Sequence, residues 1–426
     1  MAADADKPTL TAVVETLGEL DTSDPSKRRN CIERLEQWAK NGFPEGASRL
    51  ILDHAARSFK PIDDYYATPN TQLVDLLWNG KTTVAGEDVE ALFPRFDDAC
   101  RASAIRLLAE LGTRPASESL ARILNVCVNA GLPNVAWPLF RPLERQPRDA
   151  DVLIPSLLGL LDKAEAAGPV HAVVLAYATA GLLTTEQRRL CADVVARQAS
   201  RAIDDLNRRR GSTGPGWRWE DDYVALKTDA GLLLDLLGRL DRPSAASVLA
   251  SAVRALEPWV RLWGVLGLVR GGQSVPPDVL REIAAWPECR ITLARNLASL
   301  RRSDLFPNEF MNQPSLAEAT MVDWLLYPTE LGRAPDEIRQ IESVPLETDT
   351  GLADLYVFAF RTHPPHWLSE KDWVVGVAGP FLVSHQPTFE SLGATFSRFE
   401  RLPEKSLDEH VEGILETVEA ISGTEG

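Results

Sequence analysis

The sequence predicts a mostly α protein: antiparallel helix pairs stacked as an α-solenoid over residues 1–313, then a small acidic α+β domain over residues 314–426. Three observations predict it. Before residue 335 apolar residues recur at helical spacing, in runs separated by Pro- and Gly-marked turns. After it the period falls to two. The charge is also uneven: the net −16 comes from 45 Lys/Arg and 61 Asp/Glu. Met311 to Gly426 holds 7 and 20 of these, a balance of −13, which leaves 38 and 41 for the helical part (45 − 7, 61 − 20).

In chain order, Leu10, Val13, Val14 and Leu17 share a helix face, and Asp24-Pro25 supplies an N-cap with Pro at the first helical position. Ile32, Leu35, Trp38 and Ala39 line the helix that follows, which Gly42-Phe43-Pro44 ends. Ala47 to Phe59 is a further helix. The loop Lys60–Asn70 places Tyr65 and Tyr66 beside two Asp, suited either to a partner or to packing on neighbouring helices. Between Asn70 and Leu111 three helices are expected, broken near Gly80, Gly86 and Pro94, and Pro115 opens another. Residues 150–161 and 169–182 follow. The second carries a wide apolar stripe through Val173, Val174, Tyr177 and Ala178.

Thr184 with Gln187 has capping-box spacing for a long helix ending in Arg208-Arg209-Arg210. Gly211–Gly216 and Trp217-Arg218-Trp219 come next, then helices over about 222–240, 243–256, 257–270, 276–285 and 290–300. Gly264 and Gly267 share one face and permit close helix approach. The pair period, roughly 35 to 45 residues, is that of HEAT-type repeats, so the solenoid is read as a degenerate HEAT-like one. A compact all-α bundle is the competing arrangement.

The stretch Pro314–Ile338 joins the two parts. Ser315 with Glu318 marks a helix start, Pro328 stops that helix near Tyr327, and Trp324 is expected to be buried as a bolt against the sheet. Four strands are expected: 338–346 (an edge, because of Pro345), 352–361 (apolar on both faces, hence central), 373–383 with a bulge at Gly379-Pro380, and 394–400. Ser406 with Glu409 caps a last helix with Leu407, Val411, Ile414, Leu415 and Val418 facing inward. The whole is a four-stranded meander with that helix on one face.

No apolar run reaches the length of a membrane span, and the acidic MAADADKPTL start has no apolar core of a signal peptide. Cys31, Cys100, Cys127, Cys191 and Cys289 are scattered, as expected of buried thiols in a reducing cytoplasm. There is no P-loop, GxSxG, HExxH, GxGxxG or paired CxxC. His363-Pro-Pro-His366 has metal-like spacing, but the Pro-Pro unit holds the two rings apart, so no metal and no cofactor are expected. Nor is there a His-Glu dipeptide of the kind that holds iron in some HEAT-repeat enzymes. Arg208–Arg210 with Trp217 and Trp219 interleaves cations and aromatics, a pattern that suits nucleic-acid contact. The plainer reading is a helix C-terminus whose cations complement its dipole beside a Trp-anchored loop.

Leu316-Ala317-Glu318-Ala319, Met321-Val322-Asp323-Trp324-Leu325 and Tyr327-Pro328-Thr329-Glu330-Leu331-Gly332 resemble segments of uncharacterised bacterial HEAT-repeat proteins. Gly376–Pro380 and Thr395–Glu400 fit the same pattern. The resemblance spans about the last third of the chain. It implies a solenoid with a C-terminal α+β cap and brings no catalytic residues.

The expected function is therefore that of a non-enzymatic scaffold or adaptor that binds a basic protein or peptide, not nucleic acid or membrane. Trp217, Trp219, Glu412 and Glu416 are the candidate contacts. The alternatives are an immunity or sensor protein of a bacterial conflict system, and a lyase or other enzyme on a helical array.

Overall fold

The computed structural model describes residues 7–62, 68–78, 81–130, 136–161, 167–209, 217–240, 242–327, 329–348, 351–362, 373–383 and 395–422. The chain divides into two compact units, residues 1–195 with 239–241, and residues 196–238 with 242–426. Residues 314–426 thus share a unit with the helices that start at residue 196.

The first unit holds α1 (Leu10–Glu19), α2 (Pro25–Ala39), α3 (Ala47–Ala55), α4 (Asn70–Asp75), α5 (Gly86–Leu92), α6 (Asp98–Leu111), α7 (Arg114–Ala130), α8 (Ala136–Arg145), α9 (Ala150–Leu161) and α10 (Ala167–Thr179). It also holds the start of α11 (Thr185–Arg209). Here α3 packs on α5, α5 on α7 and α7 on α9, while α4 packs on α6, α6 on α8 and α8 on α10. Helices two apart in sequence are therefore neighbours in two rows, the stacking order of an α-solenoid. The wide stripes explain it, because a helix within a row must bury area against a neighbour on either side as well as against the other row. On α10, Val173, Val174 and Tyr177 are wholly buried, and the Tyr177 hydroxyl donates to the Arg148 carbonyl at 2.6 Å.

The caps read from sequence form. The Asp24 carboxylate accepts from the amides of Ser26 and Lys27. Thr184 and Gln187 exchange reciprocal bonds of 2.9 and 3.2 Å.

In the second unit α12 (Asp221–Leu237) packs on α14 (Pro258–Arg270), and α14 on α16 (Pro287–Ser299). The intervening α13 (Arg242–Ala252) and α15 (Pro277–Ala284) pack against α14 and α16. Gly264 and Gly267 do admit a close neighbour: a Cβ would lie 2.8 Å from Ala252 Cβ at the first and 2.6 Å from Leu249 Cδ2 at the second. The last helix of the stack, α17 (Gln313–Leu325), packs on α16. Its start differs from expectation. Asn312 is the cap, accepting from the Ser315 amide at 2.9 Å, and Glu318 turns instead toward Arg290.

The sheet of β1 (Glu337–Thr348), β2 (Gly351–Arg361), β3 (Val374–Leu382) and β4 (Thr395–Arg401) is antiparallel with neighbours in sequence order. β2 is central and buried on both faces, as its sequence required. Leu355 and Val357, with Val375 and Val377 of β3, pack on Ile414 of α18 (Leu407–Ser422). The opposite face, with Phe358 and Phe360, takes α17. Ser406 and Glu409 cap α18 as a capping box. At Gly379, with φ of 130°, a Cβ would lie 2.8 Å from the Asp354 carbonyl, and the β2–β3 register shifts beside it.

The bolt between α17 and the sheet is not Trp324. That ring is partly exposed and leans on Tyr327 at 5.8 Å. Met321, wholly buried, fills the place instead: Gly376 of β3 has no side chain, and a Cβ there would meet Met321 Sδ at 3.1 Å and Phe360 Cε1 at 3.0 Å. A thioether adapts to such an irregular gap, whereas an indole does not. Met321→Ala should therefore cost about 2–5 kcal/mol in denaturant unfolding, and Trp324→Ala clearly less. The opposite ranking would return the bolt to Trp324.

Candidate ligand-binding cleft

The second unit contains a buried charge cluster. Arg218 Nη2 donates to Glu257 Oε1 at 3.2 Å and to Glu288 Oε1 at 2.6 Å, and the Tyr223 hydroxyl donates to Glu257 Oε2 at 2.9 Å. The side chains of Glu257 and Glu288 are 3% and 8% exposed. Glu257 is the N-cap residue of α14 and Glu288 lies in the first turn of α16, each beside a Pro that starts the helix. Carboxylates are favoured there by the helix dipole. Burial alone would lower the Arg218 pKa. Glu288 and Glu257 more than reverse this and hold it above the usual arginine value.

An open cleft of about 650 Å³ lies against this cluster. α16 contributes its start, Trp286 to Glu288, and α17 contributes Glu318 and Val322. The other side is the unbroken run Ala334–Arg339, with Trp373 beyond it. Of this run Ala334 to Asp336 precede β1 and Glu337 to Arg339 begin it, so the cleft lies where the chain enters the sheet.

Both Trp rings carry guanidinium groups. Arg218 lies over Trp286 at 5.1 Å, and Arg339 and Arg361 lie over Trp373 at 4.3 and 4.9 Å. Glu318 Oε2 accepts from Arg290 Nη1 at 2.8 Å. Arg290, with its side chain 2% exposed, also donates to the carbonyls of Ala284 and Ser315 and so fixes Glu318. The second oxygens of Glu288 and Glu318 take no hydrogen bond from any described residue. The lining as a whole sets Arg218 and Arg339 against Glu288, Glu318, Asp336 and Glu337.

The sequence candidates lie around this cleft rather than in it. Trp217 and Trp219 are partly buried and do not line it. Trp217 meets Tyr223 edge-on at 4.8 Å, and Trp219 lies under Lys227 at 4.7 Å. Arg218, between them, is the residue that reaches the cleft. Glu412 and Glu416 are exposed on α18, away from its lining. Arg208 pairs with Asp205. Arg210, Gly211–Gly216, Tyr65, Tyr66, His363, His366 and His385 lie outside the described residues. His410 is buried, with Nδ1 at Glu400 and Nε2 at the Leu402 carbonyl.

Among the described residues no three His, Cys, Asp or Glu side chains are grouped to hold a metal ion. No helix among them is long and apolar enough to cross a membrane. No protein-family model matches the chain, and no curated protein matches it.

Arg218→Met removes the cation between two buried carboxylates and should cost about 3–5 kcal/mol, measured by denaturant unfolding. A near-neutral result would mean that the cluster is hydrated. The five cysteines are buried, and burial pushes the Cys31 thiol up to about 11 and those of Cys100 and Cys191 up to about 12. The native chain at pH 8 should thus react with an aromatic disulfide reagent only as it unfolds. A rapid stoichiometric burst would contradict this.

Proposed function

We propose that the chain is a non-enzymatic interaction protein that binds a basic protein partner. The observation that supports this most is an open cleft walled by Trp286 and Trp373 whose lining holds four carboxylates and two guanidinium groups, with Arg290 and Arg361 behind it pairing with Glu318 and Glu337. Carboxylates beside aromatic faces suit a cationic group, which gains both Coulomb attraction and attraction to the ring. The balance of −13 between Met311 and Gly426 adds a long-range field of the same sign. Such a field draws basic surfaces in and repels nucleic acid and anionic membrane. The exposed Glu412 and Glu416 extend it over the outer side of α18. The resemblance to bacterial HEAT-repeat proteins agrees with a binding role, since helical stacks offer large surfaces to polypeptides.

The test is the association of the full chain with fluorescent polyarginine and polyglutamate at low and high salt. Polyarginine should bind and polyglutamate should not, and salt should weaken the binding, because exposed charges are screened beyond a Debye length of ~8 Å at physiological ionic strength. Reversing Glu412 and Glu416 to Lys should slow association while moving stability by no more than about 0.5 kcal/mol. Equal binding of both polymers would overturn the reading.

A further inference from the structure

The cleft's occupant can be specified further, on the basis of the binding role proposed above. Among the described residues β1 pairs with β2 on one side and with no strand on the other. From Glu337 to Gln340 its register is regular, and a shift interrupts it between Gln340 and Glu342. Glu337, Ile338 and Arg339 of this stretch line the cleft, and Gln340 does not. Pro345 and the bulge are devices that keep an edge strand from pairing further along. The open edge is thus short and beside the cleft, with Pro335 before it and the bulge after it.

Two further features point to what fills the cleft. Glu288, its side chain only 8% exposed, lines the cleft with one oxygen held by Arg218 and the other without a donor among the described residues. Glu318, its side chain 28% exposed, has one oxygen on Arg290 and the other without a donor among the described residues. A carboxylate held at one oxygen is fixed in orientation, and its second oxygen still needs a proton donor once water is excluded. Two such oxygens, one from each of two helices, suit a donor with several N–H groups in a rigid fork, which is a guanidinium. Trp286, 41% exposed, supplies the flat surface on which a guanidinium stacks.

We propose that the cleft takes an extended segment of a protein partner as an added strand on the Glu337–Gln340 edge of β1, with one arginine of that segment stacked on Trp286 and donating to the free oxygens of Glu288 and Glu318. Main-chain pairing supplies affinity that does not depend on sequence, and the arginine supplies the selection.

The probe is an acetylated, amidated Thr-Val-Arg-Val-Thr peptide, titrated into the full chain by calorimetry and tryptophan fluorescence. It should bind, its citrulline counterpart should bind at least about tenfold more weakly, and methylation of alternate backbone amides should abolish binding. Glu318→Gln and Trp286→Ala should each weaken the arginine peptide and leave the citrulline peptide unchanged. Both variants change partly exposed side chains, and unfolding curves are to be recorded to check that they fold. Equal binding of arginine and citrulline peptides would overturn the arginine pocket. Equal binding of methylated and unmethylated peptides would overturn strand addition. If polyarginine binds and the short peptide does not, the inference fails while the basic-partner reading stands. If polyarginine fails as well, both fall.

Discussion

A row of helices that buries apolar surface on both sides has no natural end, and α17 is where this chain meets that constraint. Leu316, Ala317, Met321 and Leu325 are all buried, more than α16 alone can cover. The sheet supplies the missing surface, and Gly376 lets Met321 reach its backbone. Once one face of the sheet is committed to α17, the other must be covered as well, because β2 is apolar on both sides. α18 does this through Ile414. The small domain is therefore part of the second unit's core, in line with the grouping of residues 196–238 and 242–426.

That closure has an electrostatic consequence. Docking the sheet on α17 brings the edge of β1 to the side of the cleft opposite the start of α16, where Glu288 already sits on Arg218. Removing one partner from such a cluster is costly, because a charge would be left buried and unpaired. The cluster holds two carboxylates to one guanidinium, and Tyr223 satisfies the remaining Glu257 oxygen while no described residue does so for Glu288. Excess negative charge is thus held rigidly at the mouth of the cleft, where little side-chain entropy remains to be lost on binding a cation.

Most of the fold was legible in the sequence because it rests on local signals. Asp24, Thr184 with Gln187, and Ser406 with Glu409 cap helices as their spacing requires, and the apolar residues on both faces of Leu352–Arg361 marked a central strand. Ser315 with Glu318 misled for a physical reason. Asn312 is an equally good cap three residues earlier, and a buried Arg290 competes for the Glu318 carboxylate. Trp324 misled because size was taken for burial, whereas the fit to Gly376 selects a flexible thioether. The cleft was illegible because residues 218, 285–288, 318 with 322, 334–339 and 373 come from five separated segments, none with a motif of its own. Trp217 and Trp219 drew attention to the right tripeptide, but the residue that matters is the arginine between them. Its two partners lie 39 and 70 positions away, and no local pattern marks them.

On the proposal above, closing the stack with the sheet creates an edge-strand site for an arginine-bearing segment. Hydrogen exchange of the full chain, with and without the Thr-Val-Arg-Val-Thr peptide, tests it most directly, because a newly paired strand protects its own amides. Exchange should slow over residues 334–340 and 285–289 and remain unchanged over α18. Protection confined to α18, or none in β1 when the peptide is bound, would rule out strand addition at β1.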